Sequence, residues 1–431
     1  MDKKTIYFHI GTHKTGTTAL QKFFVDNRVC LKRKGFVYDF YNESEMNQGY
    51  LVRPEKWQSV NLDPSKNYII SGEDFYSHIL NISDTVKDKL SSFNINFIVY
   101  FKRQDLMKQS VYNQIVKMHG FTKDVTKNNH YNLDYYHFLQ QLKENFPNAK
   151  INVRVYEKGQ FEGGSIFSDF LKLLGLKLTG EYFQEKSIVN PSLTTDKLEF
   201  SRHINMLNLP IEFRTKLNKL VVKSALDSNE ASLFRKQDLI SPEDAKVLLE
   251  QYKAGNSAIA KEFLGRKSGE LFYDEVIEDE SWQPYPGLSY PIAKEIFEKI
   301  KEIDYDALIE LLSYIMAQND ITVDFVRTAN FLTPILLEVL EKNTEFEPFY
   351  IISSEQQRFF IPIKERLNDG SDSVDILREV AIAFEQSGDV NTALKIMQQA
   401  YRLRPEGPLI NQKLQEYRQI LEIKSAQTQP E

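Results

Sequence analysis

Apolar positions follow two rhythms along this chain, and the rhythm changes once. Over roughly the first 280 residues, short strand-like apolar runs alternate with stretches whose apolar residues recur at helical spacing. Residues 5–10 are apolar and β-rich; beyond a turn bracketed by Gly11 and Gly16, Leu20, Phe23 and Phe24 fall on one helix face. Residues 41–66 are polar, hold two prolines and keep no period, so they read as a long connection. Further strands are predicted at 68–71, 95–101 and 151–156, with helices after Asp105, at 133–146 and at 166–174. The 95–101 run is almost continuously apolar, as expected of a strand buried on both faces of a parallel sheet. This order predicts an α/β fold, a doubly wound parallel sheet flanked by helices and joined by right-handed crossovers. Its carboxyl edge would gather the residues that leave each strand into one crevice. Residues 274–291 turn acidic and then rich in Pro and Gly, which reads as a linker; the pattern beyond is helical throughout, an all-α C-terminal extension.

The chemistry concentrates in the first turn, His9-Ile10-Gly11-Thr12-His13-Lys14-Thr15-Gly16-Thr17-Thr18. A strand, a Gly-x-x-x-x-Gly turn and a helix start make a phosphate cradle, because the first helical N–H groups have no partner within the helix and face an anion. The nucleotide-hydrolase version places Lys directly after the second glycine, then Ser or Thr on Mg²⁺. Here Thr17 and Thr18 fill those places, and the lysine is displaced to Lys14.

This stretch resembles the 5′-phosphosulfate loop of the sulfotransferases that use 3′-phosphoadenosine-5′-phosphosulfate (PAPS), especially their bacterial carbohydrate-type branch. The resemblance implies a P-loop-like sheet and a loop that binds PAPS through Gly11, Thr12, His13, Thr15, Gly16, Thr17 and Thr18, with Lys14 acting on the donor. Ser71-Gly72-Glu73 resembles the Ser-x-Glu signature that ends a strand in that family, whose glutamate is the usual candidate for the catalytic base. The other reading of Glu73 is a cap on the next helix through its dipole. Lys102, at the end of the 95–101 strand, and Ser110, eight positions later and expected at a helix start, resemble the 3′-phosphate motif. The family usually has arginine where Lys102 stands, and the neighbouring Arg103 offers a bidentate fork. Register favours Lys102 with Ser110 as the primary pair and Arg103 as auxiliary. Asn190-Pro191-Ser192-Leu193 resembles the family's Asn-x-Ser-Leu segment, with Ser192 either a helix cap or a donor contact. Residues 256–265 and 271–272 look like the tail of the same domain.

Composition narrows the picture. The chain has 431 residues, too many for one ordinary core, and a net charge of −6 that argues against nucleic acid as the main ligand. A site for an anionic donor is therefore a local basic spot in an acidic protein. One cysteine, Cys30, excludes a disulfide framework, and the absence of a long apolar run or a leader predicts a cytoplasmic protein without a membrane span. Seven histidines with no paired-ligand spacing predict no metal site.

Residues 374–407 resemble one tetratricopeptide repeat, with Leu377, Ala381, Phe384, Gly388, Ala393, Ala400 and Pro405 at the places expected for a helical hairpin, and a helix to about 424 could cap it. A lone repeat cannot bury its own face, so it either offers a docking surface to a protein partner or acceptor, or serves as a structural appendage. The expected organisation is a sulfotransferase domain at 1–280, a linker and helical region at 281–370, and the hairpin with its cap at 371–424. The expected reaction is sulfuryl transfer from PAPS to a hydroxyl or amine, on carbohydrate by the resemblance. A P-loop phosphotransferase and a non-catalytic scaffold are the alternatives.

Overall fold

The computed structural model describes residues 3–39, 46–127, 131–184, 193–226, 239–317, 322–342, 372–386 and 388–427. Five strands, β1 (Thr5–His9), β2 (Phe36–Val37), β3 (Asn67–Ser71), β4 (Asn94–Phe101) and β5 (Lys150–Val155), form one sheet in the order β2-β3-β1-β4-β5. Every pairing is parallel. Side-chain alternation explains why both faces must be covered. On β4, Phe97, Val99 and Phe101 join one apolar cluster, while Ile98 and Tyr100 join the other.

The first cluster takes in Ile6, Phe8 and Ile70 from the sheet and is closed by Phe138 and Leu139 of the Tyr135–Asn145 helix and by Ile259 and Ala260 of the Pro242–Leu264 helix. The second holds Leu20 and Phe24 of the Thr17–Asp26 helix and Phe170 of the Ile166–Leu173 helix against Ile69, Ile98 and Tyr100. Buried Asp169 locks that second layer down, accepting from Tyr100 Oη at 2.8 Å and Arg154 Nε at 2.9 Å.

Chain order, more than strand number, decides where a ligand can sit on this sheet. From β1 the chain builds β2 and β3 on one side, then crosses to β4 and β5 on the other. The connections leaving β1 thus part company from their neighbours at its carboxyl end, where open α/β sheets form their ligand crevice. The stretch expected as a bare connection holds two short 3₁₀ helices, Gly49–Val52 and Pro54–Ser59, and buries Leu51 and Trp57 in the first cluster.

Two compact units divide the chain. The first comprises residues 1–318 and 331–346, so the Tyr290–Ile303 and Tyr305–Met316 helices belong with the sheet. In the second unit, residues 319–330 and 347–431, the helices Ser373–Gln386, Val390–Leu403 and Pro408–Gln427 share one core. Fully buried Ala381, Ala393, Ala400 and Tyr417 lie at its centre. Gly388, at φ 87°, makes the turn after the first of these helices. Phe384 is exposed. No helix among the described residues is long and apolar enough to cross a membrane.

Candidate functional site

The loop after β1 is built to hold its backbone still. Ile10 N–H donates to Ile98 O at 3.0 Å and Tyr100 N–H to Gly11 O at 3.0 Å, so the pairing with β4 continues past the strand's end. Thr12 Oγ1 donates to Tyr100 O at 3.0 Å, and Thr15 Oγ1 to Thr12 O at 2.6 Å. Both threonines are fully buried, so their hydroxyls brace the loop from within. Gly16 starts the Thr17–Asp26 helix at φ 77°, and a Cβ there would stand 2.9 Å from Ile166 Cδ1. Only glycine meets both demands. Lys14, without that freedom, is nonetheless held at φ 61°. An L-residue pays for that conformation, and such cost gathers at functional sites.

Glu73 leaves β3 and meets this loop from the side. Its approach depends on Gly72, where a Cβ would lie 2.7 Å from the backbone of Gly49. Thr17 Oγ1 donates to Glu73 Oε2 at 2.9 Å, and His13 Nδ1 stands 3.4 Å from the same oxygen. His13 is fixed in turn by its N–H to Tyr131 Oη at 3.1 Å. Burial works to raise the Glu73 carboxyl, but His13, the Thr17 hydroxyl and the Lys14 charge together hold it below the ordinary value. It is a carboxylate at neutral pH, free to accept a proton. Beneath it, His9 is buried and bonded through Nδ1 to Ser71 Oγ at 2.8 Å, and burial pushes the ring down to about 4 against the pull of Glu73. A neutral His9 ties β1 to β3 and plays no part in charge.

The third contribution comes from the end of β4. Lys102 Nζ donates to Ser110 Oγ at 2.8 Å, joining the two residues whose spacing pointed to them. Ser110 falls in the second turn of the Gln104–His119 helix, not at its start, and its hydroxyl also donates to Leu106 O at 2.6 Å. Arg103 does not join them. Its guanidinium is buried in a bidentate grip on Asp105, 2.7 and 2.8 Å, and its third arm donates to Asp274 O at 2.5 Å. A side chain held so completely ties the helix start to the later chain.

Burial pushes Lys102 down to about 8, and the Lys14 charge pushes the same way against Asp105. Lys14 too is lowered by burial, with Glu73 opposing. Lys117, absent from any motif, is also brought down to about 8 by burial and by Lys14. Lys14 thus acts on both Lys102 and Lys117, with Glu73 opposing at Lys14 and Asp105 at Lys102.

Two cavities open here, one at Lys102 and one at Glu73. One of about 540 Å³ is lined by Lys102, Ser110, Asn113, Leu198, Ile277 and Trp282. The other, about 820 Å³, is lined by Thr18, Gln21, Tyr50, Arg53, Glu73 and Asp74. Ile277 and Trp282 come from the segment that reads as a linker. That segment is also tied to the Thr195–Met206 helix through Tyr285 Oη, which donates to Asp196 Oδ1 at 2.6 Å. Asn190 and Ser192 lie outside the described residues, although Leu193 next to them accepts from Asn113 Nδ2 at 3.3 Å. Among the described residues, no cluster of His, Cys, Asp or Glu could hold a metal ion.

Fold and site together define an α/β protein with a five-stranded parallel sheet whose strand order reverses beside β1, with Lys14, Glu73 and Lys102 following the carboxyl ends of β1, β3 and β4. The chain is similar to an uncharacterized protein of Archaeoglobus fulgidus, 31% identical over 284 residues that span 64% of this chain and 75% of that protein, and the two belong to one family. No family model and no solved structure matches the chain.

Proposed function

We propose that this protein is a sulfotransferase that moves the sulfuryl group of PAPS to an acceptor hydroxyl or amine, on a carbohydrate by its resemblance. The observation that carries the reading is the contact between Lys102 and Ser110 beside a loop bearing Lys14. Two separate cationic grips at one crevice suit a nucleotide with two separate phosphate positions. The strand order β2-β3-β1-β4-β5, with the glycine-bracketed turn leaving the central strand, supports the P-loop-like assignment.

In this reading the backbone N–H groups of residues 15–18 hold the 5′-phosphate, helped by the helix they open. Lys102 and Ser110 hold the 3′-phosphate, and the cavity of about 540 Å³ they line takes the nucleoside. Glu73, facing the larger cavity, removes the acceptor proton as the acceptor oxygen or nitrogen bonds to sulfur. The bond from sulfur to the 5′-phosphate oxygen breaks, and its electron pair stays on that oxygen. Lys14 neutralises the charge gathering there, as electrostatic catalysts do. Thr17 and His13 keep the Glu73 carboxylate aimed. The sulfuryl group carries less negative charge than a phosphoryl group, so the chemistry leans less on a divalent ion than phosphoryl transfer does.

Incubating the protein with labelled PAPS and a panel of sugars, lipids and peptides, read by mass shift, tests the assignment. The expected result is an acceptor gaining a sulfuryl group with Mg²⁺ chelated. Phosphate transfer from ATP in its place would make the protein a phosphotransferase; inertness to both donors would make it a scaffold.

A further inference from the structure

We infer that Lys117 is a second cation on the transferred group, gripping the donor's sulfuryl oxygens from the side opposite Lys102. The inference rests on the sulfotransferase reading and adds to it a residue that no motif singles out.

Helix register is the first ground. On the Gln104–His119 helix, Ser110, Asn113 and Lys117 recur at i, i+3 and i+7 and so share a face. Ser110 is pinned to Lys102, which sets where that face looks. Seven residues at the helical rise put Lys117 about 10 Å further along the axis. That is a nucleotide-scale step from the 3′-phosphate grip toward the far end of the donor.

Charge is the second. A lysine in the last turn of a helix ordinarily lies in solvent and complements the dipole. The neighbouring Met118 and His119 are indeed exposed, whereas Lys117 is half-buried. Among the described residues, neither Lys117 nor Lys14 has an ion-pair or hydrogen-bond partner. The charge felt by Lys117 is that of Lys14, and Lys14 also acts on Lys102. Lys14 is therefore the common neighbour of two other lysines. Glu73 offsets part of the charge on Lys14, but the charge acting on Lys117 is that of Lys14 alone, so the half-buried pair is unfavourable until an anion arrives between them. The loop already supplies Lys14 for the phosphate oxygen that leaves. An added cation at the Lys14 end, away from Lys102, meets the oxygens on sulfur.

Two nucleotides separate this role from its rivals. PAPS and its product, adenosine 3′,5′-bisphosphate, differ by the sulfuryl group alone. Titration calorimetry on the full chain at 0.15 M salt, where distant charges are largely screened, compares wild type with Lys117→Gln and Lys102→Ala. The expected result is a loss of about tenfold or more in PAPS affinity for Lys117→Gln, with the bisphosphate within twofold of wild type. Lys102→Ala should weaken both ligands alike, and Lys117→Arg should restore most of the PAPS affinity. Competitive acetylation read by peptide mass gives a second measure that needs no variant: PAPS should shield Lys117 and the bisphosphate should not. The inference is overturned if Lys117→Gln affects both nucleotides equally or neither, or if the two shield Lys117 alike. Should the wild-type protein bind neither nucleotide, the donor assignment itself fails, a result distinguishable from either of those.

Discussion

At the scale of single residues, the site separates groups that carry charge from groups that hold them. Glu73 is kept ionised by His13, Thr17 and Lys14 in spite of its burial. Glu73→Gln preserves the shape and the bond from Thr17 but cannot take a proton, so turnover should fall on the order of 10²–10⁴. Bisphosphate affinity, measured alongside, should barely change; full activity would hand the base role to another group. The lysines set the other side of the pH response. With Lys102 and Lys117 both near 8, their positive charges are present at pH 7 and lost as pH rises through 8. Donor affinity should therefore drop between pH 7 and 9, by as much as tenfold per unit once one required charge titrates. Stability of the unliganded protein moves the opposite way. These lysines bind fewer protons folded than unfolded between about 8 and their ordinary value, so their contribution to folding improves as pH rises through that window. A thermal melt series with and without bisphosphate should show the gap between the two curves closing from pH 7 to 9. Lys102 and Ser110 stood out in the sequence because a basic residue at a strand end with a serine eight positions later resembles the 3′-phosphate motif, and the fold brings the two into contact. Arg103 was misleading at that level. Chemistry favours it for phosphate, but Asp105 two residues on claims its fork, and only folding brings the Asp274 carbonyl to it. Lys117 carries no local signal, since a lysine near a helix end is ordinary; the one hint is its seven-residue spacing from Ser110.

Among elements, the strands with strong period or continuous apolar character were legible, and β4 is the clearest, buried on both faces from Asn96 onward. β2 was not, because two residues, Phe36 and Val37, are too short to display a period. The prolines and acids that make 274–291 look like a linker record local stiffness and solubility but not the surface it lies on. In the folded chain it lines the cavity beside Lys102 and donates from Tyr285 to Asp196. The loop after β1 was legible as a strand–turn–helix because Gly11 and Gly16 bracket it between an apolar run and a helical period. Its geometry makes a sharp test. Gly16→Ala demands a left-handed alanine, costing about 1–2 kcal/mol, and drives a methyl to within 2.9 Å of Ile166. A lowered melting temperature is expected, together with weaker binding of the bisphosphate, because in the proposed reading the displaced segment supplies the N–H groups that hold the 5′-phosphate. Unchanged affinity in a folded Gly16→Ala protein would place the 5′-phosphate elsewhere.

The whole molecule is partitioned differently from its sequence rhythm. Apolar period changes character near residue 280, yet the Tyr290–Ile303 and Tyr305–Met316 helices belong to the unit that contains the sheet. Their apolar faces explain why: Ile296, Phe297, Leu308, Leu311 and Ile315 are all fully buried. Phe297 meets Phe200 edge-on at 4.9 Å, and Lys216 pairs with Asp304 at 3.1 Å. Full burial of each such side chain is worth about 1.5–3 kcal/mol, so removing the pair of helices exposes more than a marginally stable fold can spare. Two truncations test this partition. A chain ending at residue 280 should aggregate or melt without cooperativity, since it keeps Phe200 but loses Phe297 and the helices around it. A chain ending at residue 342 keeps those helices and gives up the core formed by Ala381, Ala393, Ala400 and Tyr417, which is built from its own three helices. It should melt in one cooperative transition and bind the bisphosphate within about threefold of the full chain. Loss of nucleotide binding in the longer truncation, with its fold intact by circular dichroism, would assign part of the donor site to residues beyond 342. Loss of the fold would show instead that the C-terminal helices complete the first unit's core.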